Sequence, residues 1–256
     1  KQMLAEKRLP QIKDVGFRAF SQTDEDGILL YLFSLIGTTN KICVDLAFES
    51  PFGANTSNLI CNWGWSGFLI CGSDANVTFS KNFLLSNPDT KLSPPLILKK
   101  WITAENINDI LFENGLCGEI DLFSLDIDGV DYWIWKKLDV IRPRVVVVEF
   151  LSIWKDERSV TVPYRSDFDR HKGPHMDFYG ASLAAFVSLA NEKGYRLVAC
   201  NKYGFNAVFI KNEFGLELIP TLSIKECLQL APQPPWIEEE RKQRLAKIRN
   251  LHWVDV

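Results

Sequence analysis

The stretch SLDIDGVDYWIW, residues 124–135, places three carboxylates, Asp126, Asp128 and Asp131, among apolar side chains. Asp126 and Asp128 are separated by one apolar residue, so at the end of a strand their side chains point the same way, towards a ligand. Their mutual repulsion must be relieved by a cation, a proton or a hydrogen-bonding ligand. The structural alternative is that the pair only forms a turn, and that Asp131 favours the dipole of a helix it begins.

Two further acids follow strand-like runs. Asp45 lies in KICVDLAF (41–48), and Glu149 is the next-to-last residue of RVVVVEF (144–150). The carboxyl ends of parallel strands meet at one edge of a sheet, which is where ligands bind in open α/β sheets. We therefore expect Asp45, Asp126, Asp128 and Glu149 to converge on a single site.

The elements that must position these acids alternate along the chain. Short continuous apolar runs are separated by helical patterns, which is typical of a parallel sheet covered on both faces. The runs YRLVACN and NAVFIKN, from 195 to 212, read as a late hairpin that adds an antiparallel strand. The sequence thus predicts an α/β fold with one mostly parallel sheet and the hairpin at one edge.

Residues that favour helix termini stand before and after the first predicted strand. Thr23 and Asp26 form a capping-box pattern before a helix that Gly37 ends, and Asn55 and Thr56 can cap the helix after the first strand. A loop of about 30 residues, 151–181, interrupts the alternation, and loops of this length in compact domains are usually functional or disordered.

The length of 256 residues suits one large α/β domain. We predict a core at about 40–212, an N-terminal helical extension at 1–39 and a C-terminal helical appendage at 213–256. In the appendage PQPPW breaks the chain, and a terminal amphipathic helix follows, with Leu245, Ile248 and Leu251 or His252 on one face. That face either packs on the parent domain or forms the contact of a homodimer.

Composition disfavours several classes of protein. A net charge of −3 provides no basic excess for a nucleic-acid partner, and no apolar run approaches the length of a membrane span. None of the six cysteines forms a CxxC pair, which predicts reduced thiols rather than disulfides or zinc. The first residues, KQMLAEKRLPQ, contain no apolar leader segment. These features together predict a cytoplasmic protein without nucleic-acid or membrane partners.

Six blocks of the chain resemble the FkbM-type family of S-adenosylmethionine (SAM) dependent methyltransferases, over about residues 20–212. They are VDLAFESPFGANTSNL, NWGWSGFLICGSD, LFSLDIDGVDYWIWKKL, RPRVVVVEF, VTVPYRSDFDR and DFYGASLAAFVSLANEKGYRLVACNKYGFNAVFI. The resemblance implies a Rossmann-like methyltransferase sheet of seven strands with the seventh antiparallel, and we expect the strand order 3-2-1-4-5-7-6. It also implies SAM as cofactor, held by these residues: Asp45, Ala47, Asn55, Thr56, Gly72, Ser73, Asp74 and Asp126.

The cofactor half departs from the family pattern. Ala47 stands where a glycine is expected, and Ser50-Pro51 replaces an acidic-glycine turn. A glycine lets backbone approach a cofactor closely, and Pro51 also removes a backbone donor. The acids expected at 71 and 73 are Cys71 and Ser73, with Asp74 as the candidate substitute for holding the ribose hydroxyls.

The acceptor half keeps its acids. Asp128 is the candidate for acceptor contact or general base, with Glu149 and the loop histidines His171 and His175 opposite. Asp126, Asp128 and Glu149 would also suit Mg²⁺, which the resemblance permits. The sequence therefore predicts O-methylation of a small hydroxylated acceptor, with a sugar or nucleotide-linked sugar as the class that the resemblance implies. The alternative is a non-catalytic relative that keeps the fold and binds a ligand or a partner protein.

Overall fold

The computed structural model describes residues 9–231 and 235–256. Two expectations fall outside these ranges: the absence of a leader in the first eight residues, and the part of the PQPPW break at 232–234. None of the described helices is both long enough and apolar enough to cross a membrane.

A seven-stranded sheet forms the centre of the molecule. Its strands are β1 (Ile42–Leu46), β2 (Ser66–Cys71), β3 (Leu96–Lys99), β4 (Gly118–Leu125), β5 (Ile141–Glu149), β7 (Tyr195–Cys200) and β8 (Asn206–Lys211). The order is β3-β2-β1-β4-β5-β8-β7, with the first five strands parallel and β8 antiparallel to both neighbours. The predicted fold class, strand order and edge hairpin are therefore confirmed.

Helices cover both faces of the sheet. They are α1 (Glu25–Ile36), α2 (Ser57–Trp63), α3 (Asp74–Ser86), α4 (Ile107–Glu113), α5 (Asp131–Lys137), α6 (Leu183–Glu192), α7 (Ile224–Gln229) and α8 (Pro235–Ile248). Successive residues of a strand point to opposite faces of the sheet. In β2, for example, Phe68 and Ile70 pack with α4, α5 and α6, whereas Leu69 packs with α1, α2 and α3. The strands are thus continuous apolar runs because both of their faces are buried.

The predicted caps of the first two helices are wrong in detail. Asp26 makes no capping box, since its carboxylate accepts the N–H groups of Ala19, Phe20 and Ser21 at 2.6–2.9 Å and so folds the loop before α1. Thr56 stands at the N-cap of α2 but gives its hydroxyl to Asp45 instead. The predicted helix end at Gly37 is confirmed.

The long connection 151–181 is ordered by short elements. Strand β6 (Val160–Thr161) pairs with β9 (Val254–Asp255), and 3-10 turns form at Ser152–Trp154 and Arg170–Lys172. The pairing ties the long connection to the segment that follows α8. The long connection is therefore a folded segment rather than a structureless loop.

The terminal helix α8 packs on the rest of the chain. Leu245, Ile248 and Trp253 are buried in the core cluster that also contains α4, α5 and α6. The ring of Trp253 contacts Trp154 and Phe178, with centroids 5.2 and 4.7 Å away. Of the two predicted uses of this apolar face, the structure shows packing on the parent domain, with Leu251 half-buried and His252 exposed.

A buried ion pair fixes the edge of the sheet where β4 and β5 begin. Asp121 accepts N–H groups of Thr39, Asn40 and Lys41 at 2.7–3.0 Å, and Arg144 donates to Asp121 at 3.0 Å. Arg144 also donates to the carbonyl groups of residues 36 and 37, which end α1. This network joins α1, the loop before β1 and the two central strands.

We predict that Asp121→Asn lowers the free energy of unfolding by about 3–5 kcal/mol, because Arg144 is left buried without a countercharge. Urea unfolding measures the loss. The exposed Glu113→Gln in α4 is the control and should change stability by less than about 0.5 kcal/mol. Equal stability of the two variants would show that the ion pair contributes nothing net.

Candidate active site

The turn after β4 is held by the first residue of α5. The Asp131 carboxylate accepts the N–H of Ile127 at 2.7 Å and that of Gly129 at 2.9 Å. Burial raises the pKa of Asp131 to about 6, against the lowering effect of these N–H groups. The structural interpretation of Asp131 is therefore the right one, and its role is to shape the turn that presents Asp126 and Asp128.

The left-handed residue of this turn is Asp128, not the glycine that follows it. Asp128 has φ of 54°, whereas Gly129 has ordinary φ. A Cβ at position 129 would lie 3.0 Å from the ring of Phe168, so the glycine leaves room for this ring. Ile127 is only half-buried, packing against the core and also lining a crevice above the sheet.

Asp126, Asp128 and Glu149 converge as predicted. Each offers a carboxylate oxygen, and these oxygens all lie within 4.8 Å of one another. Burial, followed by the neighbouring negative charges, raises the pKa of both Asp126 and Glu149, which are hydrogen-bonded to each other. We interpret Asp126 and Glu149 as a carboxyl–carboxylate pair that holds one proton between them.

The cation opposite these acids is Arg170, not a histidine. Its guanidinium pairs with Asp128 and lies 3.8 Å from the centroid of the Tyr179 ring. His171 is exposed, and His175 accepts the N–H of Asp177 at 3.1 Å. Among the described residues no histidine nitrogen belongs to the acid cluster.

The sequence did contain a signal for Arg170. Three converging carboxylates require a positive partner, and Arg170 lies in the same loop segment as the two histidines that were chosen for their chemistry. A guanidinium is a better permanent counter-ion than an imidazole because it stays charged at all physiological pH values.

The acid cluster does not fit Mg²⁺ as it is arranged. A magnesium ion takes deprotonated carboxylates in octahedral geometry. Here Arg170 already engages Asp128, so a magnesium ion would have to displace this guanidinium before it could use all three carboxylates.

The loop after β1 contains buried polar atoms without partners. Asp45 accepts the Thr56 hydroxyl at 2.7 Å, and Asn55 donates to the Ser124 hydroxyl at 3.2 Å. Burial raises the pKa of Asp45 to about 7. The Asn55 Oδ1 and Ser57 Oγ atoms are buried and have no hydrogen-bond partner among the described residues. Buried unpaired polar atoms are costly, and a ligand is one way to satisfy them.

Of the residues that follow β2, one lines a cavity and two make contacts that stabilise the fold. Gly72 lines the crevice, and a Cβ there would meet no atom within 4 Å. Ser73 caps α3 by accepting the N–H of Asn76, and the exposed carboxylate of Asp74 pairs with Lys99. Asp74 is therefore not turned into the crevice as the substitute acid. Cys71 packs on the opposite face of the sheet, among α1, α2 and α3.

Two cavities lie on either side of the acid cluster. The first, here the Gly72 crevice, has a volume of about 100 Å³ and is bounded by Ala47, Gly72 and Ile127 below and by Trp101, Ser166 and Phe168 above. The second, here the Glu149 cavity, has a volume of about 250 Å³ and is lined by Gln22, Glu149, Leu151, Tyr179, Phe205 and Arg244. Ligand pockets usually measure about 300–1,000 Å³, so the crevice is too small for a whole nucleoside cofactor as it stands.

The chain resembles several solved methyltransferase structures. One is a SAM-dependent methyltransferase from Clostridium acetobutylicum ATCC 824, with 11% identity, coverage of 81% of this chain and 94% of that chain, and a TM-score of 0.45. Another is magnesium protoporphyrin IX methyltransferase from Synechocystis PCC 6803 with bound SAM, at 11% identity, 72% and 76% coverage and a TM-score of 0.42. A third is the glycopeptide N-methyltransferase MtfA complexed with sinefungin, at 10% identity, 75% and 86% coverage and a TM-score of 0.44. No protein-family model and no curated protein matches the sequence.

We predict that Ala47→Gly stabilises the protein by about 1 kcal/mol, because Ala47 has φ of 66° and a left-handed residue with a Cβ is strained. Thermal and urea unfolding measure the gain. The opposite change at a left-handed glycine with free space, Gly64→Ala, is the control and should destabilise. A loss of stability in Ala47→Gly would mean that the Ala47 methyl contributes more by packing than it costs in strain.

We also predict that stability falls as pH rises from about 4 to about 8 because of the shared proton. The raised pKa values of Asp126 and Glu149 mean that the folded state binds more protons than the unfolded state in this window, so deprotonation disfavours folding. Asp126→Asn should flatten the slope, since an amide can donate to an ionised Glu149. Urea midpoints between about pH 5 and about pH 8 measure it, with the exposed Asp139→Asn as control. An unchanged slope in Asp126→Asn would mean that no such proton is held.

Proposed function

We propose that this chain is a methyltransferase that transfers a methyl group from SAM to a small hydroxylated acceptor. The observation that carries the proposal is the convergence of the Asp126, Asp128 and Glu149 carboxylates, whose oxygens lie within 4.8 Å of one another, beside two cavities at the carboxyl ends of the strands. Ligands of open α/β sheets bind at this edge. The resemblance to the FkbM-type family supports the reaction, and it alone supports a sugar or nucleotide-linked sugar as acceptor.

The donor belongs in and beside the Gly72 crevice. Ala47, Gly72 and Ile127 border this crevice, and Asp45, Asn55 and Thr56 line the adjoining loop after β1. The unpaired Asn55 Oδ1 can accept a hydrogen bond, which suits the amino group of the cofactor. When bound, SAM supplies the electrophilic methyl group. The protein's part is then to hold the two reactants in line.

The acceptor belongs in the Glu149 cavity. A hydroxyl placed there loses its proton more easily beside a carboxylate whose pKa lies near the working pH. Burial and neighbouring charge raise the pKa values of Asp126 and Glu149 towards that range, and Glu149 lines the cavity. We therefore assign the base to the Asp126–Glu149 pair. Asp128, neutralised by Arg170, becomes a positioning residue, and the histidines take no part in this scheme.

A second candidate is a non-catalytic relative that binds a ligand or a partner. Pro51 and Ala47 stand where the family resemblance leads us to expect glycine-containing turns, and Phe168 covers the crevice. This candidate predicts that SAM does not bind, even when the crevice is opened. The Glu149 cavity would then be the whole ligand site.

We predict that calorimetric titration detects binding of SAM and of its demethylated product, S-adenosylhomocysteine (SAH), and that Gly72→Val abolishes it. The added side chain meets no protein atom at its Cβ and so fills the crevice without disturbing the fold. We expect affinity to fall by at least about tenfold, whereas Gly72→Ala should have a smaller effect.

Thermal unfolding of the two Gly72 variants is the control, and their melting temperatures should match the wild type. Binding that survives Gly72→Val would mean that the cofactor lies elsewhere. Absence of binding in the wild type and in the Phe168→Ala variant described below would favour the non-catalytic candidate.

A further inference from the structure

Residues 163–176 lie across the carboxyl edge of the sheet and touch both halves of the candidate site. The ring of Phe168 lies over Gly129 and forms part of the upper wall of the Gly72 crevice. Two residues later, Arg170 pairs with Asp128 in the acid cluster. One short segment therefore covers the cofactor half with an aromatic ring and the acceptor half with a cation.

The segment is fastened at its two ends. Before it, the N–H of Val162 donates to the carbonyl of Gly180 at 3.2 Å. After it, Asp177 forms a bidentate ion pair with Arg244 of α8, with nitrogen–oxygen distances of 2.6 and 2.9 Å. The ends of the segment are thus fixed to the body of the protein.

Between its ends the segment is held by a few separable contacts. Trp101 donates its indole N–H to the carbonyl of Ser166 at 2.7 Å, and Tyr164 accepts the N–H of Ala104 at 3.0 Å. Phe168 and Arg170 are only half-buried, and residues 165–167 are exposed. Few buried apolar contacts mark a region that opens at low cost in free energy.

We propose that residues 163–176 form a strap that closes the Gly72 crevice, and that a nucleoside cofactor must displace Phe168 to enter. The proposal rests on the proposed function for the identity of that cofactor. The strap and the cofactor compete for one space, because the crevice of about 100 Å³ beneath Phe168 is well below the usual size of a ligand pocket. Displacing Phe168 also pulls on Arg170, so cofactor entry is coupled to uncovering of Asp128.

The absence of a side chain at Gly129 also leaves room for the Phe168 ring of the strap. An alanine Cβ there would approach the Phe168 ring to 3.0 Å, a distance at which the ring has to give way. The φ of Gly129 is ordinary, so alanine does not strain the backbone. Gly129→Ala therefore displaces the Phe168 ring slightly from below and weakens closure of the strap, without any change in the strap itself.

The test compares Phe168→Ala, Gly129→Ala and the wild type, with Phe112→Ala as matched control because Phe112 is an exposed phenylalanine on α4. Limited trypsin digestion reports strap opening, since the segment contains Arg165 and Lys172. Mass spectrometry then gives the cleavage rate at each site. We expect both strap-opening variants to be cut faster than the wild type at these two residues, and Phe112→Ala to be cut at the wild-type rate.

Calorimetric titration with SAH provides the second readout. A ligand that competes with a closed state binds more tightly when that state is removed, so Phe168→Ala should bind SAH about tenfold more tightly than the wild type. If the wild type binds SAH, weaker or unchanged binding by Phe168→Ala would overturn the proposal, since Phe168 would then be a wall of the occupied site or a bystander. Unchanged cleavage in both variants would overturn it as well.

The two proposals fail in different ways. Faster cleavage of both variants, with no SAH binding by any of them, supports the strap and overturns the methyltransferase function. SAH binding by the wild type that Phe168→Ala abolishes supports the methyltransferase function and overturns the strap.

Discussion

The candidate site depends on two hydrogen bonds that Asp131 accepts from the backbone of the turn after β4. They fix the turn between the strand and α5, and they force its only left-handed residue, Asp128, to face the edge of the sheet. Asp126 precedes the turn and meets Glu149 from the neighbouring strand. If the turn relaxed, Asp128 would return to ordinary φ and the three acids would no longer share one space. The buried carboxylate of Asp131, at the start of α5, therefore supports the whole candidate site.

Buried carboxylates are neutralised in different ways at the two edges of the sheet. At the edge where β4 and β5 begin, Asp121 and Arg144 are both buried and form hydrogen bonds with backbone groups on every side. At the opposite edge, Asp126 and Glu149 are left to share a proton, and Arg170 comes from a connection held by few contacts. The first arrangement fixes the elements in place, whereas the second leaves charge that a substrate or cofactor can rearrange. Such incomplete balance is typical of functional sites.

Local sequence patterns predicted much of the fold and part of the candidate site. The alternation of apolar runs and helices predicted a mostly parallel sheet covered on both faces. The strand order itself was expected from the family resemblance. The convergence of Asp126, Asp128 and Glu149 was predictable because all three follow strands that end at one edge. Phe168 and Trp101 were not predictable as site residues, since both lie in connections that have no periodicity. The Asp121–Arg144 pair was not predictable either, because an acid inside a strand carries no signal of the arginine on the next strand. Asp26 and Thr56 carried cap signals, but Asp26 binds the backbone of residues 19–21 and Thr56 binds Asp45 instead.

The pairing of Arg170 with Asp128 has a consequence for which molecules can use the acid cluster. A counter-ion attached to the same polypeptide behaves as a ligand whose effective concentration is on the order of millimolar or more. A free metal ion or amine has to outcompete this tethered cation before it reaches Asp128. In the proposed reaction a neutral hydroxyl faces no such contest, because it needs only a proton acceptor and does not have to displace Arg170. The pairing of Arg170 with Asp128 would then favour uncharged acceptors over cationic ones.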